Sequence, residues 1–444
     1  MSSLSESEGI KPSQPIKEED RTNDIIAEYL KKYDEDELKE RDTIFHPYEC
    51  AFNEKCLDNT INIDKNMCLV DLSYLTFTRF YATRNWYFNN YDKETIANDY
   101  NWLENKEFME KFDKLFFDKC FMICEQYDIP MSNIIFFVDC FHQYNWRVKV
   151  NEDYKGTRKE SHERNHFYVY SIFGYVRKNL ICKLQAEHKN IVLFHPHLEA
   201  DDVISCFNRY LRNNNYQHYI IILANDKDYI QICDEKTHLL DIQQKCISCS
   251  ELYYKFGECL YYAYKNDGLG EKQLGSSLSL TEKSILNNSP QKEKRTQSIV
   301  HRKRNKYINY SSKNDYLLFK ILYGDKSDNI EPCYLSNEFT SLYYKKNNHK
   351  DFLKATPKVI YDAINNVQSK VKLLRYLYCC RDYLKNNGQQ QDFKYGDIKQ
   401  YHYISNNQQF LQNVKLIDLY NIPIKYENRL FYHFQLLFGK FFKP

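Results

Sequence analysis

The sequence predicts an α/β fold, a central and mostly parallel sheet flanked by helices, with a helical C-terminal region. Two observations predict it. Short runs that are apolar throughout, rather than alternating, are separated by longer stretches with helical apolar spacing, as expected of parallel strands covered on both faces. Those runs also stop at acidic residues: Asp71 follows Met67-Cys68-Leu69-Val70, Asp139 follows Ile134-Ile135-Phe136-Phe137-Val138, and Asp226 follows Tyr219-Ile220-Ile221-Ile222-Leu223.

Taken in order, residues 1–60 are a polar N-terminal extension in which only Ile25 to Leu38 has helical spacing. The core, 61–267, is expected to hold strands at 67–71, 133–139, 190–194 and 218–224, and helices at 72–83, 106–127, near 161–188 and 200–213. Residues 268–312 accumulate Gly, Ser, Asn and Gln and then the basic run Lys292, Lys294, Arg295, Arg302, Lys303, Arg304 and Lys306, which reads as a low-complexity insertion. It is either a solvated loop or an arm that touches phosphates. Regular structure resumes at Tyr316 to Leu322, and 313–444 completes the acidic site and forms a helical C-terminal domain with a helix at Val371 to Leu384.

Composition narrows the function classes. With 62 basic and 60 acidic residues the net charge is +2, so attraction of a polyanion depends on how charge is distributed. Fifteen Cys and a polar N-terminus suggest free thiols, no secretory leader and an intracellular protein, in cytoplasm, nucleus or a viral replication compartment. Cys246 and Cys249, near Cys233 and Cys259, lack the second close pair that a zinc site needs. A membrane span is excluded by the lack of a long uncharged apolar run.

The acids carry the chemistry. Glu199-Ala200-Asp201-Asp202 follows Ile191-Val192-Leu193-Phe194, Asn225-Asp226-Lys227-Asp228 follows the next apolar run, and Gly324-Asp325-Lys326-Ser327-Asp328-Asn329-Ile330 forms a glycine-led loop. Carboxylates delivered together at strand ends repel one another unless cations neutralise them. An all-oxygen set suits a hard cation such as Mg²⁺, with Mn²⁺ as a substitute, and two ions roughly 4 Å apart can drive in-line phosphodiester cleavage. In this reading Asp71, Asp139, Glu199 and Asp201 hold one ion, while Asp226, Asp228 and Asp325 hold or orient the second. Each pair alone is weak evidence, since an Asp-x-Asp is more often a turn or a cap.

Positive charge follows Asp139: Arg147, Lys149, then Tyr154-Lys155-Gly156-Thr157-Arg158-Lys159. A carboxylate pocket repels DNA unless cations lie beside it, so these residues, with Lys326, are candidates to meet phosphates. Lys155 and Arg158 are candidates to stabilise the transition state, and Tyr154 to stack on a splayed base.

The ordered set Leu69-Val70-Asp71-x-Ser73, Asp139 with Arg147 and Tyr154-Lys155-x-x-Arg158, Glu199-Ala200-Asp201-Asp202, Asn225-Asp226-Lys227-Asp228 and Gly324-Asp325-x-x-Asp328-Asn329-Ile330 resembles the flap endonuclease and 5′–3′ exonuclease family, over about residues 67 to 335. The resemblance implies a PIN-like core and a divalent-metal nuclease of replication or repair. It implies that Asp71, Asp139, Glu199, Asp201, Asp226, Asp228 and Asp325 match metal-site carboxylates, with Asp202 and Asp328 as further members, and that Lys155 and Arg158 match the basic pair on the scissile phosphate. Implied partners are DNA with 5′ flaps, nicks or ends, RNA–DNA hybrid primers, and a replication clamp or single-strand-binding protein. The alternatives are a PIN-type RNA nuclease and a non-cleaving nucleic-acid scaffold. Glu331-Pro332-Cys333-Tyr334 stands where the family continues with Pro-Gly-x-Gly and a duplex-gripping hairpin. That departure, with Phe410 to Leu419 and Ile422-Pro423, is similar to the bacteriophage ribonuclease H branch of the family.

Overall fold

Five short strands form one parallel sheet in the order β3-β2-β1-β4-β5: β1 Met67–Asp71, β2 Ile134–Val138, β3 Ile191–Phe194, β4 Ile220–Leu223 and β5 Thr237–Leu240. The computed structural model describes residues 61–91, 100–156, 169–248, 313–336, 352–385 and 407–442. The expectations for the N-terminal extension and for the basic insertion 268–312 lie outside them. All four strand pairings are parallel, and β2, β3, β4 and β5 are buried throughout, as is β1 up to Asp71. Their Val, Ile, Leu and Phe residues satisfy both faces at once, which is why the sequence shows no alternation.

The first crossover runs through α1 (Leu72–Asn90) and α2 (Lys106–Tyr127), and the second through α3 (Val169–Tyr175), a π-helical turn (Val176–Leu180) and α4 (Ile181–His188). After β3 comes α5 (Ala200–Asn213), then β4, a 3₁₀ segment (Lys227–Ile232) and β5. The chain moves outward from β1 on one side through β2 and β3, then on the other through β4 and β5, so the order reverses at β1. In open α/β sheets ligands bind beyond the C-terminal strand ends at such a reversal.

The second hydrophobic cluster is helical. It joins α6 (Lys313–Tyr323), α7 (Pro357–Asn365), α8 (Val367–Lys385) and α9 (Asn407–Ile417), and it also takes in Tyr154, Ile330 and Cys333. α10 (Ile424–Phe438) packs instead on α5, through Phe434 and Phe438 around Phe207 and through the Arg209–Glu427 ion pair at 2.6 Å. Glu331-Pro332-Cys333 leads into β6 (Tyr334–Ser336), which pairs antiparallel with β7 (Phe352–Lys354).

The expected strands and the core helices at 72–83, 106–127 and 200–213 are present, with small shifts: α1 extends to Asn90 and the Val371 helix begins at Val367. Of the helix expected near 161–188, residues 169–188 are helical around the π turn and 161–168 lie outside the described residues. β5 was not expected, because Thr237 and His238 break the apolar run and the remaining signal is only two leucines long. The eleven cysteines among the described residues are all free thiols. Among the described residues no helix is long and apolar enough to cross a membrane.

Candidate active site

Sheet register decides which side chains share an edge. Val70 pairs with Phe136 and with Leu223, and Val138 pairs with Phe194, so Asp71, Asp139 and the loops after β3 and β4 leave the sheet on the same side. Asp71 caps α1: its Oδ1 accepts from the Tyr74 amide at 3.0 Å and its Oδ2 from the Tyr229 hydroxyl at 3.1 Å. Asp139 accepts from the Ala200 amide at 2.8 Å, which ties the end of β2 to the first turn of α5. Burial, then repulsion from Asp139, pushes the Asp71 carboxyl up to about 7, with Asp226 adding to the effect. Asp226 itself is exposed and caps the 3₁₀ segment by accepting from the Asp228 amide at 2.9 Å.

Glu199 caps α5 and forms a capping box with Asp202. Its carboxylate accepts from Arg147 at 3.1 Å, from the Tyr154 hydroxyl at 2.9 Å and from Lys155 at 2.5 Å. Burial works against its charge, but Lys155 and then Arg147 outweigh that and hold it well below the usual carboxylate range. Asp201 has no such contact; Arg147 stays 3.9 Å away, and burial raises its carboxyl well above the normal value despite that cation.

A third group forms on α6 and the glycine-led loop. Lys320 Nζ lies 3.0 Å from Asp228 and also bonds Asp325, whose other oxygen accepts from the Ser327 amide at 2.8 Å. Burial opposes ionisation of both acids. Lys320 nevertheless holds Asp325 low, whereas Asp228 is pushed up to about 6, with Asp226 contributing. The loop closes through mutual backbone bonds between Asp325 and Ile330 at 2.9 and 2.8 Å. Gly324 has φ +72°, and an added Cβ would sit 2.3 Å from the Ile330 carbonyl oxygen, so only glycine fits. Asp328 meets Tyr154 at 3.3 Å and Lys155 at 3.9 Å, and its carbonyl accepts from the Lys155 amide.

Three expectations are corrected. Arg147 is 2% exposed and Asp202 fully buried. Arg147 grips Asp202 bidentately at 2.7 Å and donates Nε to the Leu416 carbonyl at 2.9 Å, so it faces the interior rather than a nucleic acid. Asp202 also accepts from the Trp146 indole at 3.0 Å, so both its oxygens are committed to protein donors and it is a structural acid rather than a ligand. Tyr154, 2% exposed with its hydroxyl on Glu199 and Asp328, has no face for a base. Lys149 and Lys326 are exposed, and Lys155 sits against the acids. Arg158 and Lys159 lie outside the described residues. Lys320 and Tyr229 were missed; a lysine one helical turn before Gly324-Asp325 was the available signal for the first.

Among the described residues no group of three or more His, Cys, Asp or Glu side chains stands close enough to hold a metal ion as placed. The reason is visible in the pairings, since Lys155, Arg147 and Lys320 each occupy carboxylate oxygens. The donor chemistry still fits a hard divalent cation: all donors are oxygens, and Asp71 with Asp139 is a like-charged pair whose repulsion a cation would relieve.

The order of strands and the acids at one edge define a resolvase-like α/β domain. Residues 66–257 match the family model "5′-3′ exonuclease, N-terminal resolvase-like domain". Similar solved structures are the bacteriophage T5 5′-exonuclease with bound zinc (14% identity, TM-score 0.43, covering 85% of this chain and 97% of that one). A second is a bacteriophage T5 flap endonuclease in a pseudo-enzyme–product complex with DNA and metal ions, with the same identity, TM-score and coverage. No curated protein matches.

Proposed function

We propose that the chain is a divalent-metal-dependent 5′–3′ exonuclease and 5′-flap endonuclease that hydrolyses phosphodiesters in DNA or RNA–DNA hybrids during replication or repair. The observation that carries this reading is the delivery of Asp71, Asp139, Glu199 and the 226–228 loop to one edge of the sheet at its reversal point, within the family-matched segment. Asp71, Asp139, Glu199 and Asp201 would hold one Mg²⁺ or Mn²⁺, and Asp226, Asp228 and Asp325 a second. Such ions supply water activation and neutralise charge on the phosphoryl group.

The chain's own residues do the rest. Tyr229 and the Tyr74 amide fix the Asp71 carboxylate, and the Ala200 amide fixes that of Asp139, so both present defined lone pairs. Lys155 and Lys320 hold their ammonium groups beside the acids, where a scissile phosphate would meet them; by family resemblance Arg158 would be the partner of Lys155 there, and Lys159 is a further candidate for phosphate contact. Lys149 and Lys326, both exposed, would contact flanking phosphates. Substrates on this reading are DNA with 5′ flaps, nicks or ends and RNA–DNA primers, with a clamp or single-strand-binding protein as an accessory partner.

The test is cleavage of 5′-flap DNA, nicked duplex, RNA–DNA hybrid and single-stranded RNA with Mg²⁺, Mn²⁺ or EDTA. Metal-dependent release of products from flap or hybrid is expected. Cleavage of RNA alone would replace the assignment by an RNA nuclease, and binding without cleavage would leave a scaffold.

A further inference from the structure

The last turn of any α-helix leaves carbonyl oxygens without helical partners, and water or side chains must satisfy them. In α9 the partners come from the acid-bearing elements of the core. Leu416 O accepts from Arg147 Nε at 2.9 Å, and Arg147 in turn holds Glu199 and Asp202. Ile417 O accepts from Gln231 Nε2 at 2.9 Å, while Gln231 Oε1 accepts from the Leu419 amide at 3.1 Å, an amide bridge three residues beyond Asp228. Leu419 O accepts from Ser205 Oγ at 3.0 Å and Arg209 at 3.1 Å, both on α5, whose first turn carries Asp201 and Asp202. One turn earlier, the fully buried Asn413 donates to Ile321 O at 2.7 Å and Glu331 O at 2.8 Å, the two sides of the Gly324 loop that carries Asp325 and Asp328.

We propose that Asn413–Leu419 is a positioning brace for the acid site, setting the spacing between the start of α5, the 3₁₀ segment after β4 and the Gly324 loop. These elements come from distant parts of the chain and are only partly tied to one another: Lys320 links Asp228 to Asp325, and Lys155 links Glu199 to Asp328. Those links are flexible ammonium contacts to the same acids that would take a metal. At Asn413 and Gln231 the brace instead uses carbonyls and buried amides, which do not compete for it. Asn413 and Gln231 are therefore positioning residues that touch none of the reacting groups. Their effect reaches the site through backbone placement, as supporting contacts to ligands do in metal centres.

The inference rests on the metal-site reading, and its test reads binding as well as activity. Mn²⁺ binding to the full-length chain is followed by electron paramagnetic resonance for the wild type, Asn413→Asp and Gln231→Met, with near-ultraviolet circular dichroism to establish the fold. Asn413→Asp turns the donor toward two carbonyls into an acceptor, and Gln231→Met cuts the amide bridge at the other end with little change of volume. Each folded variant is expected to bind Mn²⁺ about 10-fold more weakly. The turnover number on flap DNA is expected to fall while KM changes less than about 2-fold, a split that mere loss of folded protein would not produce. Folded variants that bind Mn²⁺ as the wild type does would overturn the brace alone. Failure of both to fold would assign the segment to folding and overturn it too. A wild type that binds no Mn²⁺ would overturn the metal-site reading and the brace with it.

Discussion

Replacing Arg147 by Met probes the charge arrangement most directly. The guanidinium is almost inaccessible and makes four hydrogen bonds, to Leu416 O, to Glu199 and, in a fork, to both oxygens of Asp202. Glu199 retains Lys155 and Tyr154 after the change, but Asp202 retains only the Trp146 indole and the Glu199 amide. Removing one partner of a buried pair leaves an uncompensated charge and costs about 3–5 kcal/mol, whereas replacing both by apolar groups is often near neutral. Arg147→Met should therefore lose about 3–5 kcal/mol in urea unfolding at pH 7, and Arg147→Met/Asp202→Leu should regain most of it. The double variant still lacks the contact to Glu199 and the link to α9, so it should fold and yet cleave flap DNA poorly. A single variant within about 0.5 kcal/mol of the wild type would refute the reasoning, because it would mean that Asp202 is not held as a buried carboxylate by this arginine.

Other perturbations have equally definite outcomes. Gly324→Ala forces a Cβ onto the Ile330 and Glu331 carbonyls at a positive φ, and should cost at least about 1 kcal/mol and depress activity by displacing Asp325, as read by urea unfolding and flap cleavage. Asp226→Ala, at an exposed cap, should reduce turnover by about 10²-fold on the proposed reading with little change in stability; wild-type turnover would remove Asp226 from the site. Burial, with Arg429 beside it, lowers His433 to about 4, so the folded state favours its neutral form. Its contribution is then complete above the unfolded value near 6.5 and is lost as pH falls from 6.5 toward 4. The full shift corresponds to roughly 3 kcal/mol. Urea midpoints between pH 4 and 7 should show that slope flattened in His433→Leu.

The strands were legible because full burial leaves a continuous apolar run, and the end of such a run marks where the next side chain leaves the sheet. Asp71 and Asp139 could be placed from this alone, and the structure puts them at the ends of neighbouring strands. β5 was not legible, since an edge strand of four residues containing Thr237 and His238 has no run to recognise. The glycine-led loop was legible because its geometry demands glycine at one position.

The destinations of the cations were not legible, for a physical reason that applies equally to Arg147 and Lys155. A basic residue in a polar stretch looks the same whether it meets water, phosphate or a carboxylate from another element, and only tertiary packing decides. Arg147 lies 8 residues past Asp139 but its partners are 52, 55 and 269 residues away. Lys149, two positions later, is exposed because the turn rotates it outward. Local sequence sets neither outcome; the partner helix α9 and the first turn of α5 do. The same dependence explains Lys320: Asp315 and Asp325 lie five residues to either side of it, yet it pairs with Asp325, and its second partner, Asp228, arrives from the segment after β4. The acids were therefore readable as strand termini, while the cations that balance them became readable only when the C-terminal helices were in place.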